Sequence, residues 1–470
     1  MSAIARDIGR PVIILGGIGY LGILAVGLIW LHLPPHVVLA LTVGGAAFLV
    51  FTIRPFVGVQ AFIALLNVEN VVSTSGGMTG MKLLGAIILA GWLSSVMARR
   101  GEGLRRSAFL LALVLFILWG GLSMTGALDT RTAASRLLTF AELGIATLMF
   151  ASVVDTAERL RGIYLAIVAW TCLGAVTAIA QYLLGQTPVA VGLVGNRNLL
   201  ALYINIAIVC CYLLYQSERS VLTRGLLLAT LPVLFTGLAL TFSRAGLVVL
   251  LVALLSVWYR VVREKGIMIL TTSLAILCTL TLLLPEAFWR RAGSILPAVQ
   301  RQEDTFGMRV RLWKVGLRMV EDKPLVGVGP GNFRPAFPRY ARGEMLTKRL
   351  VAHSSYIGVA AETGAVGLAL FLALHGLALA QAGRATRAGR RARLRGLYHY
   401  GLAAQVGLLV IMLAGLTSSG ENLKYLWVFF GLSLALGRIA SRERLEMKAP
   451  GDSPRVEARP GGRGAWVAAR

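Results

Sequence analysis

Long apolar runs alternate with short polar breaks along most of this chain. The clear runs are 11–32, 36–53, 80–97, 107–125, 137–154, 160–184, 198–216, 224–242, 245–262, 267–284, 355–381, 400–418 and 424–440. Most reach about 18 residues, the length at which a helix crosses a bilayer. None shows the alternating pattern of a membrane barrel strand, and a segment in lipid must satisfy its own backbone. The pattern therefore predicts an all-α polytopic membrane protein, with about 12–14 transmembrane helices. A further run, 56–67, is short for a span and reads as a half-helix or a tilted continuation of the run before it. The first run carries no obvious small-residue cleavage site and reads as a retained span.

Composition sharpens this reading. The 470 residues are 57% hydrophobic and only 14% charged, which excludes an ordinary soluble domain. The net charge of +26 would point to nucleic acid in a soluble protein. Here much of the Lys and Arg lies in short loops between apolar runs, where it orients the chain, and no nucleic-acid partner is expected. The stretches 98–106 (ARRGEGLRR), 158–162, 260–266 and 383–396 are accordingly assigned to the cytoplasm. Counting spans alternately from them puts the 242–246 connection and the long loop 286–352 outside. The chain divides into N-terminal transmembrane helices (1–285), a periplasmic loop with an amphipathic helix (286–352), C-terminal transmembrane helices (353–440) and a disordered cytoplasmic tail (441–470). The four cysteines lie inside apolar runs and offer neither a disulfide framework nor metal spacing.

With no soluble catalytic domain, chemistry must come from helix ends and the long loop. Arg244, in TFSRAGLV, sits at a tight outer turn between two apolar runs. It reads either as a snorkelling or capping residue or as a fork for phosphate oxygens. In the loop, Met308, Leu312, Val315 and Met319 recur at helical spacing, which predicts an amphipathic helix over 308–321 lying on the membrane. Arg309 and Trp313 share one face of it, and Arg311, Lys314 and Arg318 form a more exposed basic face suited to headgroups. Arg309, beside an aromatic ring, is the better ligand candidate. The glycine-rich turn GVGPGNF lacks the strand and the Lys-Ser/Thr of a nucleotide-binding loop. Glu303-Asp304 and Glu321-Asp322 are the adjacent acidic pairs of the loop, and they read as solvated charges rather than metal ligands. Phe288, Trp289, Leu296 and Phe333 are candidate membrane anchors of the loop.

Among the histidines, His353 stands at an outer helix start after a basic loop, and Ser354 and Ser355 suit a helix N-cap. An imidazole titrates close to neutral pH, which fits a proton acceptor. His375 and His399 read as structural. The candidate set is one-sided: Arg244, Arg309 and His353 all fall on the outer face.

This set resembles a known family. His353-Ser354, nine residues, Gly364, two residues and Gly367 are similar to the histidine motif of bacterial O-antigen ligases. SRAG around Arg244, the Arg309–Trp313 spacing with the following DKPLVGVGPGNF, and LVGNRNLLALY (193–203) resemble other marks of the O-antigen ligase/polymerase superfamily. The resemblance covers about 190–440 and implies a GT-C-like glycosyltransferase of the bacterial inner membrane with its active site facing the periplasm. It implies transfer of a glycan from undecaprenyl diphosphate to lipid A–core without a metal or other cofactor and with inversion. His353 would be the base and Arg244 and Arg309 would bind diphosphate. Ser354, Trp313, Asn196, Asn198 and Glu421 are possible supporting residues.

Two other functions fit parts of the pattern. A polymerase would use the same donor with a lipid-linked glycan as acceptor. A transporter or flippase would place ionisable groups near the membrane midplane, where only His375 and Glu362 stand out.

Overall fold

The computed structural model describes residues 35–68, 80–98, 107–265, 305–341 and 351–448. The fold is helical, with no strand among the described residues. The helices are α1 (Pro35–Ile53), α2 (Pro55–Asn67), α3 (Gly80–Ala98), α4 (Ala108–Ser123), α5 (Thr130–Val153), α6 (Ala157–Leu183), α7 (Arg197–Ser217), α8 (Val221–Leu240), α9 (Arg244–Lys265), α10 (Thr305–Asp322), α11 (Phe333–Tyr340), α12 (Ser355–Arg391), α13 (Arg395–Gly415) and α14 (Lys424–Lys448).

Among the described residues, seven helices are long and apolar enough to cross a membrane: α4 to α8, α12 and α13. The runs at 11–32 and 267–284 lie outside the described residues, as does most of the proposed loop beyond 305–341. The short run at 56–67 forms its own helix, α2, separated from α1 by Arg54, and Pro55 opens it. That follows from proline, which fits a first helical turn but disfavours helix for the residue before it. The chain does not leave regular structure at Ser441, as its polar composition suggested, because α14 continues to Lys448.

The central helix is α7, almost every residue of which from Leu200 to Leu214 is buried. Polar groups inside the bundle find partners: Asn67 donates to Tyr425 Oη at 3.1 Å and accepts from Thr171 at 3.3 Å. This satisfies groups that lipid cannot. One end of the bundle collects the described basic stretches, 158–162, 260–265 and 383–396. Arg161 pairs with Glu218 at 2.6 Å, Tyr164 donates to the Tyr400 carbonyl, and Arg260 donates to Gln405. His399 bonds the Arg395 carbonyl at this end, and His375 bonds the Phe371 carbonyl within α12, each four residues back along its own helix.

The opposite end carries α10 and α11. The apolar stripe of α10 does not lie on lipid. Leu312, Val315 and Met319 are buried in a small separate core with Val328, Phe333, Phe337 and Tyr340. Phe333 is thus an interior residue of this cap and not a membrane anchor; Phe288, Trp289 and Leu296 lie outside the described residues. Arg318 also departs from the expected headgroup face, since it donates to the Tyr340 carbonyl at 3.1 Å. Asp322 bonds Tyr340 and lies 3.9 Å from Arg339.

The cap is fastened to α12 by an exchange of backbone hydrogen bonds. Gly364 interrupts α12 with φ 70° and ψ −174°. The Ala365 N–H turns to the Pro324 carbonyl at 2.8 Å, instead of continuing the ladder. The carbonyls of Ala361 and Glu362 accept instead from Val328 and Gly329, each at 2.9 Å. The Glu362 carboxylate then takes the Gly331 N–H at 2.7 Å and the Phe333 N–H at 3.3 Å. A second fastening joins the cap to the α4–α5 connection. Buried Asn332 accepts from the Asp129 N–H at 2.8 Å and donates to the Asp129 carbonyl at 3.0 Å. Lys323 donates to the Gly126 carbonyl at 3.0 Å.

Candidate active site

A cavity of about 770 Å³ lies between the cap and the helix bundle. Its size is that of a small-molecule or lipid-headgroup site. The polar end is built from the starts of four elements. Asn196 caps α7 by accepting from the N–H groups of Asn198 and Leu199 at 3.0 and 3.1 Å. Asn198 in turn accepts from the Ser243 hydroxyl at 2.9 Å, which ties the start of α7 to the start of α9. Asn205, about two turns deeper than Asn198, donates to the Gly246 carbonyl at 2.8 Å and holds the two helices together. Asn196, Asn198, Ser243, Arg309 and His353 all line the cavity.

Arg309 reaches this space from α10 and His353 from the segment before α12. The positive charges of Arg244 and Arg197 act on Arg309. Partial burial, together with those charges, pulls its guanidinium below its ordinary value. Burial, aided by the Arg309 charge, likewise pulls the His353 imidazole below its ordinary value. The imidazole is therefore neutral at physiological pH and able to accept a proton. His353 also holds a left-handed backbone, φ 49°. That geometry is uncommon outside glycine and carries strain for an ordinary residue, of about 1–2 kcal/mol.

The other predicted residues divide by role. Arg244 opens α9 between cavity-lining Ser243 and Ala245, but is not itself among the lining residues. Ser354 is buried and caps α12, accepting from the Ile357 N–H at 3.5 Å. Trp313 does not line the cavity. Glu421 is buried beside the wall and faces Arg136, with an oxygen 3.5 Å from the guanidinium. Burial raises its carboxyl and Arg136 opposes that rise. Ser355 accepts from the Gly420 N–H at 2.8 Å and donates to the Ser418 carbonyl, so the start of α12 also fixes the 416–423 connection.

The lower cavity is apolar, with Phe62, Leu66, Leu143, Val249 and Ile411 on its walls. Glu142 of α5 is an exposed acidic group on the same cavity. Among the described residues no group of three His, Cys, Asp or Glu stands close enough to hold a metal ion. Sequence reasoning missed Arg136, Asn332 and the fastening role of Glu362. Arg136 sits just before an apolar run, and the helix that holds it starts earlier than that run, at Thr130, because Asp129 caps it. Glu362 offered a signal, an acidic residue beside the motif glycine Gly364.

Residues 228–372 match the family model described as O-Antigen ligase. The matched segment contains Arg244, Arg309, His353, Glu362 and Gly364. No curated protein matches the chain. The family match supports assignment to the O-antigen ligase/polymerase family, whose members are glycosyltransferase-like enzymes.

Proposed function

We propose that this chain is the ligase of that family, transferring a glycan from undecaprenyl diphosphate to lipid A–core at the periplasmic face of the inner membrane. The observation that carries the reading is the cavity with a basic, histidine-bearing end and an apolar remainder. That shape suits a donor with a charged diphosphate, a sugar and a polyprenyl tail. The end of the bundle with the site lies opposite the basic stretches assigned to the cytoplasm, which supports a periplasmic site.

In the proposed reaction His353 takes the proton from an acceptor hydroxyl. The acceptor oxygen bonds to the anomeric carbon as the bond from that carbon to the diphosphate oxygen breaks. The electron pair leaves with the diphosphate, and Arg309 and Arg244 meet the growing negative charge. Guanidinium forks suit diphosphate oxygens because they form paired charge-assisted hydrogen bonds. A single displacement inverts the anomeric carbon. Asn196 and Ser354 shape the site as caps, Asn198 locks α7 to α9, and Glu421 with Arg136 supports the wall.

The test is reconstitution. Purified protein, lipid-linked glycan and lipid A–core are combined with a chelator present. A ladder of high-mass lipopolysaccharide is expected. Elongated lipid-linked glycan without that ladder would identify a polymerase, and dependence on added divalent metal would overturn the metal-free mechanism.

A further inference from the structure

Among the exposed leucines at the cap end of the bundle are Leu325, on the turn after α10, and Leu128, on the α4–α5 connection. They are 62% and 58% exposed. A single exposed leucine on a water-facing surface needs no explanation. The level of these two along the bundle sets them apart.

Two helices fix that level independently. The apolar span of α4 runs from Ala108 to Gly126, 19 residues. That is about 28 Å of helix, close to the thickness of the hydrocarbon core. Gly126 therefore marks where α4 leaves lipid. Lys323 donates to the Gly126 carbonyl at 3.0 Å, so the turn 323–326 stands at this level. Leu128 follows two residues past the end of the span. On α12, Ala365, Ala369, Leu372 and Gly376 are exposed and repeat at helical spacing, so they form one stripe. From Ala365 to Arg384, the first arginine of the basic end, is again about 28 Å of helix. Ala365, at the upper end of the stripe, donates its N–H to the Pro324 carbonyl at 2.8 Å. Both helices thus put Pro324 and Leu325 at the rim of the apolar layer.

The side chains there continue an apolar face. Leu111, Leu115, Leu118 and Leu122 are exposed along one side of α4, the side a spanning helix turns to lipid. In the turn, Pro324 and Leu325 are exposed and Val326 is half-buried, with no polar side chain between Lys323 and Gly327. The one cation of the turn, Lys323, closes the end of α4 through the Gly126 carbonyl.

We infer that the turn 323–326 is the membrane anchor of the cap, with Leu325, together with Leu128, entering the acyl-chain boundary of the leaflet on the cap side. The partner is the apolar layer and not headgroup charge, because the outer side chains of the turn are apolar. The backbone of the same turn holds α12 at Ala365. The cap that carries Arg309 is therefore tied at one point both to the membrane surface and to the helix that follows His353. The anchor does not depend on which reaction the site performs.

The test places nitroxide labels on full-length protein in phosphatidylethanolamine–phosphatidylglycerol vesicles. Leu325→Cys and Leu128→Cys are compared with Glu321→Cys, an exposed charged position one turn earlier that serves as the water-facing reference. The replaced side chains are exposed, so the core stays intact, and size exclusion checks each variant. Wild type treated in the same way gives the background from the native cysteines. Oxygen concentrates among acyl chains and a nickel chelate stays in water, so collisions with each report the surroundings of the label. Labels at 325 and 128 should collide more with oxygen, and the label at 321 more with the chelate. An excess of chelate collisions at 325 or 128 overturns the anchor. A label there that is shielded from both reagents, or broadened by a second label until unlabelled protein dilutes it, also overturns it, because protein would then cover the patch.

Discussion

The Leu325 carbonyl occupies the space that a Cβ on Gly364 would need. Gly364 also has φ 70°, so a side chain there meets both a blocked position and an unfavourable backbone. This contact joins the cap to the helix that begins just after His353. Gly364→Ala should therefore loosen the cap. The left-handed backbone alone costs about 1–2 kcal/mol, and displacement of 325–326 adds to it. Melting in detergent should show a lower midpoint and transfer should fall with it. An unchanged midpoint would mean that the exchange of hydrogen bonds around Gly364 is not needed for stability.

His353 carries the proposed proton transfer. His353→Asn should lower kcat by about a hundredfold or more, the usual range for loss of general-base catalysis. Asparagine accepts left-handed backbone better than most residues, so the fold should survive. Melting and size-exclusion profiles check the fold, and the ladder assay checks transfer. Near wild-type turnover would leave His353 only a structural part of the α12 start.

The pH dependence follows from the electrostatics of the pair. The neutral form of His353 is the active base, and burial with the Arg309 charge sets its pKa below the ordinary histidine value. Activity should therefore rise with pH through a point below about 6.5 and be flat above it. Removing the positive charge with Arg309→Gln lets the histidine pKa rise, which moves the acid limb to higher pH. The residual rate of the variant, or the His353 ring resonance followed by NMR against pH, reads this shift. A limb that stays in place would break the link between the two residues.

Arg309→Lys keeps the charge but removes the planar fork. Lysine is a point charge and does not reproduce two parallel bonds to phosphate oxygens. Transfer should fall by about tenfold or more while Arg309→Ala falls further. Equal activity of wild type and Lys variant would show that charge alone is sufficient. Full activity of both variants would make Arg309 part of the cap surface.

Much of this protein is determined by local sequence alone. Apolar runs of spanning length predict helices because a lipid-exposed backbone must bond to itself. Helical spacing in 308–321 correctly predicts α10, seen as Thr305–Asp322. The described basic stretches 158–162, 260–265 and 383–396 gather at one end. Arg309 and His353, singled out by residue type and by their places near helix ends, both line the cavity. What the spacing did not contain was the partner of each surface. The α10 stripe meets Phe333 and Phe337 where lipid was expected, because an apolar face is indifferent to which apolar surface covers it. Glu421 finds Arg136, a residue hidden beside an apolar run. These pairings join positions far apart in the chain. Tertiary structure decided them at Gly364, where carbonyls released by one helix are taken by the loop that carries Arg309 back over the cavity.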